Sequence, residues 1–279
     1  MVNPLADRQP DPARRSARLP PPPRQEYQEF ILQRIEEYKE ALTREDLLAI
    51  GDEAVRELER GEQYLLTEVL LLEHVDRIIQ RRLRLPSFPR WRRQHRELRE
   101  AQRQPTHWSL DQSGPLARYA PRLEPGDAAI VVGAGALSAA LFLAAHDVDV
   151  VLVDQDLHGI EGAEQRAITE QLARRFQALV IRFGGWMPDV APVLVVFDSA
   201  CLGGATARDR ATLIRDLQHR TLPGGVHLAL AADTPSEVLT LTPEALRRLY
   251  DGWQVDRRKR SAGLVAIKPD LTPRRPDTE

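Results

Sequence analysis

The stretch from Ala128 to Asp156, AAIVVGAGALSAALFLAAHDVDVVLVDQD, carries no charged side chain over its first 18 residues. Such a run crosses a membrane, packs into a core, or wraps a ligand as strand, turn and helix. About 18 apolar residues lie at the lower edge of what spans a bilayer. Here, however, Gly133 and Gly135 stand two apart, directly after the β-branched Ile130, Val131 and Val132, and an Ala/Leu segment follows. β-branched residues favour a strand, Gly-x-Gly a tight turn, and Ala and Leu a helix. The stretch therefore reads as strand, turn and helix, with no membrane span.

It opens an alternating region. Strands are predicted at 128–132, 148–153, 178–183, 193–197, 226–231, 254–258 and 264–268. Helices are predicted from the first turn to 145, then over 160–176, 207–220 and 243–250. Continuous apolar strands separated by helices imply an α/β protein with a parallel sheet covered on both faces. The link 259–263 is too short for a parallel crossover, so the last two strands should pair as a hairpin.

Upstream the pattern differs. Residues 1–24 hold seven prolines and read as a disordered Pro/Arg-rich arm. Residues 25–104 read as a helical domain, with Thr43 capping its second helix. A third helix carries apolar residues from Leu65 to Leu83 on so wide a face that it should form the buried centre. Residues 105–122 join this region to a Rossmann-like domain over 123–270, and 271–279 read as a disordered tail.

Charge is segregated within the helical region. From Glu26 to Glu73 there are 14 acids against 5 bases, and from Arg77 to Arg103 there are 10 Arg against 2 acids. Two readings stay open. The Arg-rich segment could bind RNA or phosphate, with Phe88 and Trp91 available to stack. Alternatively, acidic and basic helices lie against each other, within one chain or across a homodimer. Cys201 is the only cysteine, which excludes an intrachain disulfide and a Cys-based zinc site. No metal site is expected. The first residues show no apolar signal region, so a cytoplasmic protein is expected.

In parallel sheets, ligands sit beyond the carboxyl ends of the strands, where the strand order switches. Gly133-Ala134-Gly135 falls at such an end, and Asp154 ends the second strand 21 residues after Gly133. A carboxylate there can accept both hydroxyl hydrogens of a ribose. The turn alone does not separate NAD(P), FAD and S-adenosylmethionine. A dinucleotide turn wants a third glycine where Ser138 stands.

The second half separates them better. The segment LQHRTLPGGVHLALAA (Leu217 to Ala232) resembles the helix, Leu-x-Pro-Gly-Gly turn and fifth strand of class I S-adenosylmethionine-dependent methyltransferases. The segment LTPEALRRLYDGWQVDRRKRSAGLVAIKP (Leu241 to Pro269) resembles their closing helix, Gly-Trp lead-in and final hairpin. The resemblance implies a seven-stranded Rossmann-like methyltransferase sheet and S-adenosylmethionine as cofactor. By position it assigns Gly133, Ala134 and Gly135 to the amino-acid part of the cofactor, Asp154 to the ribose and Gln155 to the adenine. It places Phe183, Gly184, Gly185 and Trp186 along the adenine, and Asp198 and Ser199 where cofactor and acceptor meet.

Several positions depart from that pattern. Val131 stands where an acid usually precedes the turn, and Leu137 where its third glycine usually lies. The acids usual after the third strand and before the fourth are replaced by Arg182, Phe183 and Gly184 and by Ala191 and Pro192. These departures keep a non-catalytic scaffold open as an alternative, beside a nicotinamide-dependent oxidoreductase. Methyl transfer relies mainly on alignment, and a base is needed only if the acceptor must lose a proton. The candidates for a base are His107, Tyr119, Asp198 and, behind them, His158. A small-molecule acceptor is expected.

Overall fold

The structure, a computed structural model, describes residues 22–60, 68–230, 247–256 and 264–270. Most of the helix expected over 243–250 lies outside these residues, as do the ends of the strands expected over 226–231 and 254–258. The described residues divide into two compact units, one ending at Leu98 and one beginning at Arg99.

In the first unit, α1 (Pro23–Ala41) starts on a proline at its first helical position. Proline suits that position because its missing N–H would have no intrahelical partner. α2 (Arg44–Arg60) is capped by Thr43, whose hydroxyl oxygen accepts from the Asp46 N–H at 3.2 Å. α3 (Glu68–Arg82) buries Val75, Ile78 and Ile79 against Ile35 of α1 and Ile50 and Ala54 of α2. These are the buried residues of α3, with Leu71 partly buried against the same cluster. Val69 and Leu72 are 65% and 54% exposed, so α3 is not the buried centre that its composition suggested.

Opposite charges pair inside this unit. Arg81 meets Glu57 at 2.7 Å, Lys39 meets Asp76 at 2.8 Å, and Arg82 meets Glu53. α4 runs Phe88–Gln102. Trp91 is 4% exposed, with Tyr27, Phe30, Phe88 and His95 packed around it. That corrects the expectation for Trp91, which is not available for stacking, while Phe88 is half-buried. Their apolar surface gains more from burial than from exposure to solvent.

The second unit contains the sheet. Its strands are β1 (Ala128–Val132), β2 (Asp149–Asp154), β3 (Phe176–Val180), β4 (Leu194–Asp198), β5 (Val226–Leu230), β6 (Gln254–Asp256) and β7 (Leu264–Ile267). They lie in the order β3-β2-β1-β4-β5-β7-β6. The first five run parallel, and β7 is antiparallel to both β5 and β6, which gives the expected closing hairpin. Side chains alternate across the sheet. Ala129 and Val131 of β1 face one core with α6 (Leu137–Ala145) and α7 (Leu157–Thr169), while Ile130 and Val132 face the other with α9 (Ala207–Arg220).

α7 stops at Thr169, short of the predicted 176. Gln171 adopts φ 58°, and the Leu172 N–H reaches back to the Ala167 carbonyl at 2.8 Å. This is a left-handed helix cap made without glycine, so the sequence did not announce it. A 3-10 turn over Ala173–Arg175 then delivers β3 ahead of its predicted start.

The joining segment forms α5 (Pro115–Tyr119) between two 3-10 turns and packs Trp108, Leu116 and Ala120 into the α6-side core. On the α9 side, His227 of β5 is wholly enclosed. The Thr221 hydroxyl donates to the Leu217 carbonyl at 2.6 Å, so it accepts from His227 Nε2–H at 2.7 Å. Nδ1 is then left to accept from the Tyr250 hydroxyl at 2.8 Å. Burial, helped by the Lys268 charge, pushes the His227 imidazole down to about 3. Lys268 itself follows β7 and donates to the carbonyls of Gln218 and Thr221 at 2.7 and 2.6 Å, closing the C-terminal end of α9.

Candidate functional site

The strand order reverses between β1 and β4: the chain leaves β1 toward β2 on one side and reaches β4 on the other. A crevice beyond the strand ends is expected there. Gly133 begins the turn after β1, and its N–H donates to the Val153 carbonyl at 2.8 Å. Its φ of 99° and ψ of 128° are closed to L side chains. A Cβ added at Gly133 would stand 2.7 Å from the Cβ atoms of both Asp198 and Cys201. A Cβ at Gly135 would collide with the Asp198 carboxylate. The turn thus lies directly under the end of β4 and the start of α8 (Ser199–Gly204).

Two carboxylates flank this turn. Asp154, ending β2, accepts the Ala134 N–H at 2.5 Å through Oδ2. Through Oδ1 it accepts the N–H groups of Gln155 at 2.5 Å and Asp156 at 3.1 Å. These bonds fix the acid to the turn. Asp198, ending β4, caps α8 by accepting the Ala200 N–H at 2.9 Å. Burial pushes the Asp198 carboxyl above its ordinary range, and the nearby negative charge of Asp154 adds to the rise. Burial, together with both acids, drives the Cys201 thiol up to about 12. A thiol so held is protonated and unreactive at neutral pH.

The structure therefore gathers Gly133, Ala134, Gly135, Asp154 and Asp198 in one place, with Gln155 beside them. Gln155 Oε1 accepts the Phe183 N–H at 3.4 Å, so the backbone at 183 borders the same region. The Phe183 ring is buried in the α9-side core. Gly184 packs near Asp209 of α9, Gly185 donates its N–H to the Arg182 carbonyl, and Trp186 is 67% exposed. Ser199 is buried, and its hydroxyl donates to the Leu230 carbonyl at the end of β5.

The other candidate bases lie elsewhere. His107 Nε2 is 3.8 Å from Glu170, just past the C-terminal end of α7. α7 runs back down from the strand ends, so His107 sits at the opposite end of the sheet from the turn. Tyr119 is partly buried against the α6-side core. The His158 N–H donates to Asp156, which caps α7. Of the two departures in the turn, Val131 is fully buried and Leu137 packs against the α6-side core.

Cys201 escaped notice as a site residue. Its only sequence signal is its place three residues after Asp198, within one helical turn. Among the described residues, no group of three or more His, Cys, Asp and Glu could hold a metal ion. No described helix is long and apolar enough to cross a membrane.

No family model matches the chain, and no curated protein matches it. Solved structures do. The glycopeptide N-methyltransferase MtfA complexed with S-adenosyl-L-methionine aligns with 58% of this chain and 95% of its own, at 15% identity and TM-score 0.45. The N-methyltransferase NodS from Bradyrhizobium japonicum aligns with 57% of this chain and 99% of its own, at 16% identity and TM-score 0.41. An O-methyltransferase family protein from Burkholderia thailandensis aligns over 56% of each chain, at 17% identity and TM-score 0.43.

Proposed function

We propose that the chain is an S-adenosylmethionine-dependent methyltransferase acting on a small-molecule acceptor. The observation that carries this reading is the pair of carboxylates, Asp154 and Asp198, on either side of a glycine turn at the switch point of the sheet. The reversed β7 between β5 and β6 adds support, being the closing hairpin that the resemblance to class I methyltransferases implies.

The donor set fits the cofactor. S-adenosylmethionine carries a ribose diol, an ammonium and a sulfonium, and the site offers two acids flanking a turn that bears no side chain at two of its positions. Asp154, held by three backbone N–H groups, would take the ribose; a carboxylate has about four acceptor sites, enough for a further bond. Gln155 and the backbone at Phe183 would border the adenine. Asp198 would lie toward the cationic end, where its negative charge balances the cofactor's positive charge. When bound, the cofactor supplies a methyl group already activated for displacement. The chain's part is to align the acceptor with it and to exclude water. Where the acceptor must lose a proton, Asp198, with its raised pKa, is the acid placed to receive it.

A second reading has its own support. Gly133 and Gly135 are also explained by packing, since Asp198 and Cys201 press on them without any ligand. On that reading the domain is a scaffold. Calorimetry separates the two. The methyltransferase reading expects binding of S-adenosylmethionine and S-adenosylhomocysteine, lost in Asp154→Ala. Lack of heat from either ligand at millimolar concentration leaves the scaffold. Binding of NAD(P) instead, lost in the same variant, indicates the oxidoreductase.

A further inference from the structure

From Arg77 to Arg96 the chain holds eight arginines and no acid. Two of them, Arg81 and Arg82, are used inside the helical unit by Glu57 and Glu53. Arg84, Arg90, Arg92 and Arg93 are different. All four are exposed, and none forms an ion pair or side-chain hydrogen bond with another described residue. Arg90, Arg92 and Arg93 fall within an arc of about 160° on the N-terminal half of α4, at 100° per residue. Trp91 points the other way, into the core.

The start of a helix favours negative charge, because its unpaired N–H groups make that end positive. α4 has no acid in its first turn and places Arg90 there instead, with Arg92 and Arg93 in the next. Helix dipole and side chains thus add to one positive field, although the whole chain carries a net charge of −2. None of the three arginines has an ion-pair partner within 4 Å among the described residues, and the acids on the same side of α4, Glu97 and Glu100, lie farther along the helix, in its C-terminal half.

We propose that this face binds the phosphate backbone of a nucleic acid. Guanidinium groups match phosphate oxygens through paired N–H donors, and an anion on this face would relieve the repulsion between Arg90 and Arg93, which lie at neighbouring i, i+3 positions. The burial of Trp91 removes the larger aromatic surface that would stack on bases. Binding should therefore be electrostatic and insensitive to sequence. This inference does not depend on methyl transfer.

The test is fluorescence anisotropy of the full chain with a labelled 20-base-pair DNA duplex, the matching RNA duplex and a single-stranded RNA. Three phosphate contacts give a salt slope of about −2.7 on duplex DNA, so raising salt from 50 to 200 mM should weaken binding about 40-fold. The R90Q/R92Q/R93Q variant should lose most binding at low salt and flatten that slope. Replacing the same three by Lys should retain binding, and R81Q/R82Q should leave it unchanged. Far-UV circular dichroism checks that every variant is folded. The proposal is overturned if the wild-type chain binds none of the probes at 100 μM in low salt, or if R81Q/R82Q weakens binding as much as the triple variant. Binding to phosphatidylglycerol vesicles in place of nucleic acid also overturns it and identifies a membrane surface.

Discussion

Substituting Gly133 and Gly135 one at a time by alanine asks different things of the same turn. At Gly133 the backbone sits at φ 99°, and the new Cβ would be 2.7 Å from two Cβ atoms, those of Asp198 and Cys201. A side chain in a glycine-only backbone region costs about 1–3 kcal/mol. Overpacking against atoms fixed to the backbone adds about 1–3 kcal/mol. Gly133→Ala should therefore lose about 2–6 kcal/mol, out of a total that is commonly 5–15. For a domain of this size each kcal/mol moves the melting temperature by about 2–4 °C, so the drop should be at least about 4 °C. At Gly135 the obstacle is the far end of the Asp198 side chain, which can rotate away. The expected loss is that of an N-cap bond, about 0.5–2 kcal/mol. Gly135→Ala should thus remain folded while the proposed cofactor loses its approach. Thermal melts by circular dichroism with and without S-adenosylhomocysteine read both effects. A Gly133→Ala melt within 1 °C of the parent refutes the reasoning about φ and collision. A Gly135→Ala loss as large as that at Gly133 refutes the freedom assigned to Asp198.

Other consequences can be measured on the same protein. Tyr250→Phe leaves His227 Nδ1 buried without its donor and should cost about 1–3 kcal/mol in urea unfolding. His227 stays neutral in the fold down to about 3, while an unfolded histidine takes up a proton near 6.5. Stability should therefore fall as pH drops from about 6.5 toward 3, by up to about 1.4 kcal/mol per pH unit from this one group. His227→Gln should show a shallower acid slope, and an unchanged slope would contradict the enclosure of the imidazole. Asp198 has the opposite sign: its raised carboxyl favours the protonated form in the fold, so stability from that source is present at low pH and lost as pH rises through the raised value. Asp198→Asn, which can still cap α8, should stabilise the protein near neutral pH, with the gain shrinking as pH falls. Its affinity for S-adenosylmethionine should drop, as calorimetry would show.

The sheet was legible because its strands are continuous apolar runs. Ala128–Val132 was placed to the residue, and the hairpin followed from the short link after β6. β3 was misplaced because its preceding helix ends on Gln171 in a left-handed conformation that sequence associates with glycine. The width of the apolar face of α3 was visible, but not that Val69 and Leu72 on it stay exposed. The same limit applies to Trp91, whose burial depends on Tyr27 and Phe30 arriving from another helix. At the site, the turn and Asp154 could be paired by spacing, because consecutive strands lie side by side. The approach of Asp198 and Cys201 to the glycines could not, since it joins residues some 65 positions apart through strand order alone. His107 was a candidate by residue type, and only the direction of α7 shows that it is at the far end of the sheet.

The position of β7 bears on how such a chain is made. Among the described residues, β7 is the last strand in sequence but not the last in space, since it lies between β5 and β6. On the ribosome, β5 emerges first and waits with one edge bare until Leu264–Ile267 appear. β6 is synthesised before β7 but pairs with it alone among the described strands, so it too must wait. An apolar strand with an open edge is the usual starting point for pairing with another chain. The sheet therefore keeps an open edge at β5 until β7 has docked beside it, and Lys268, reaching back from the end of β7 to the carbonyls of α9, fastens that last strand in place.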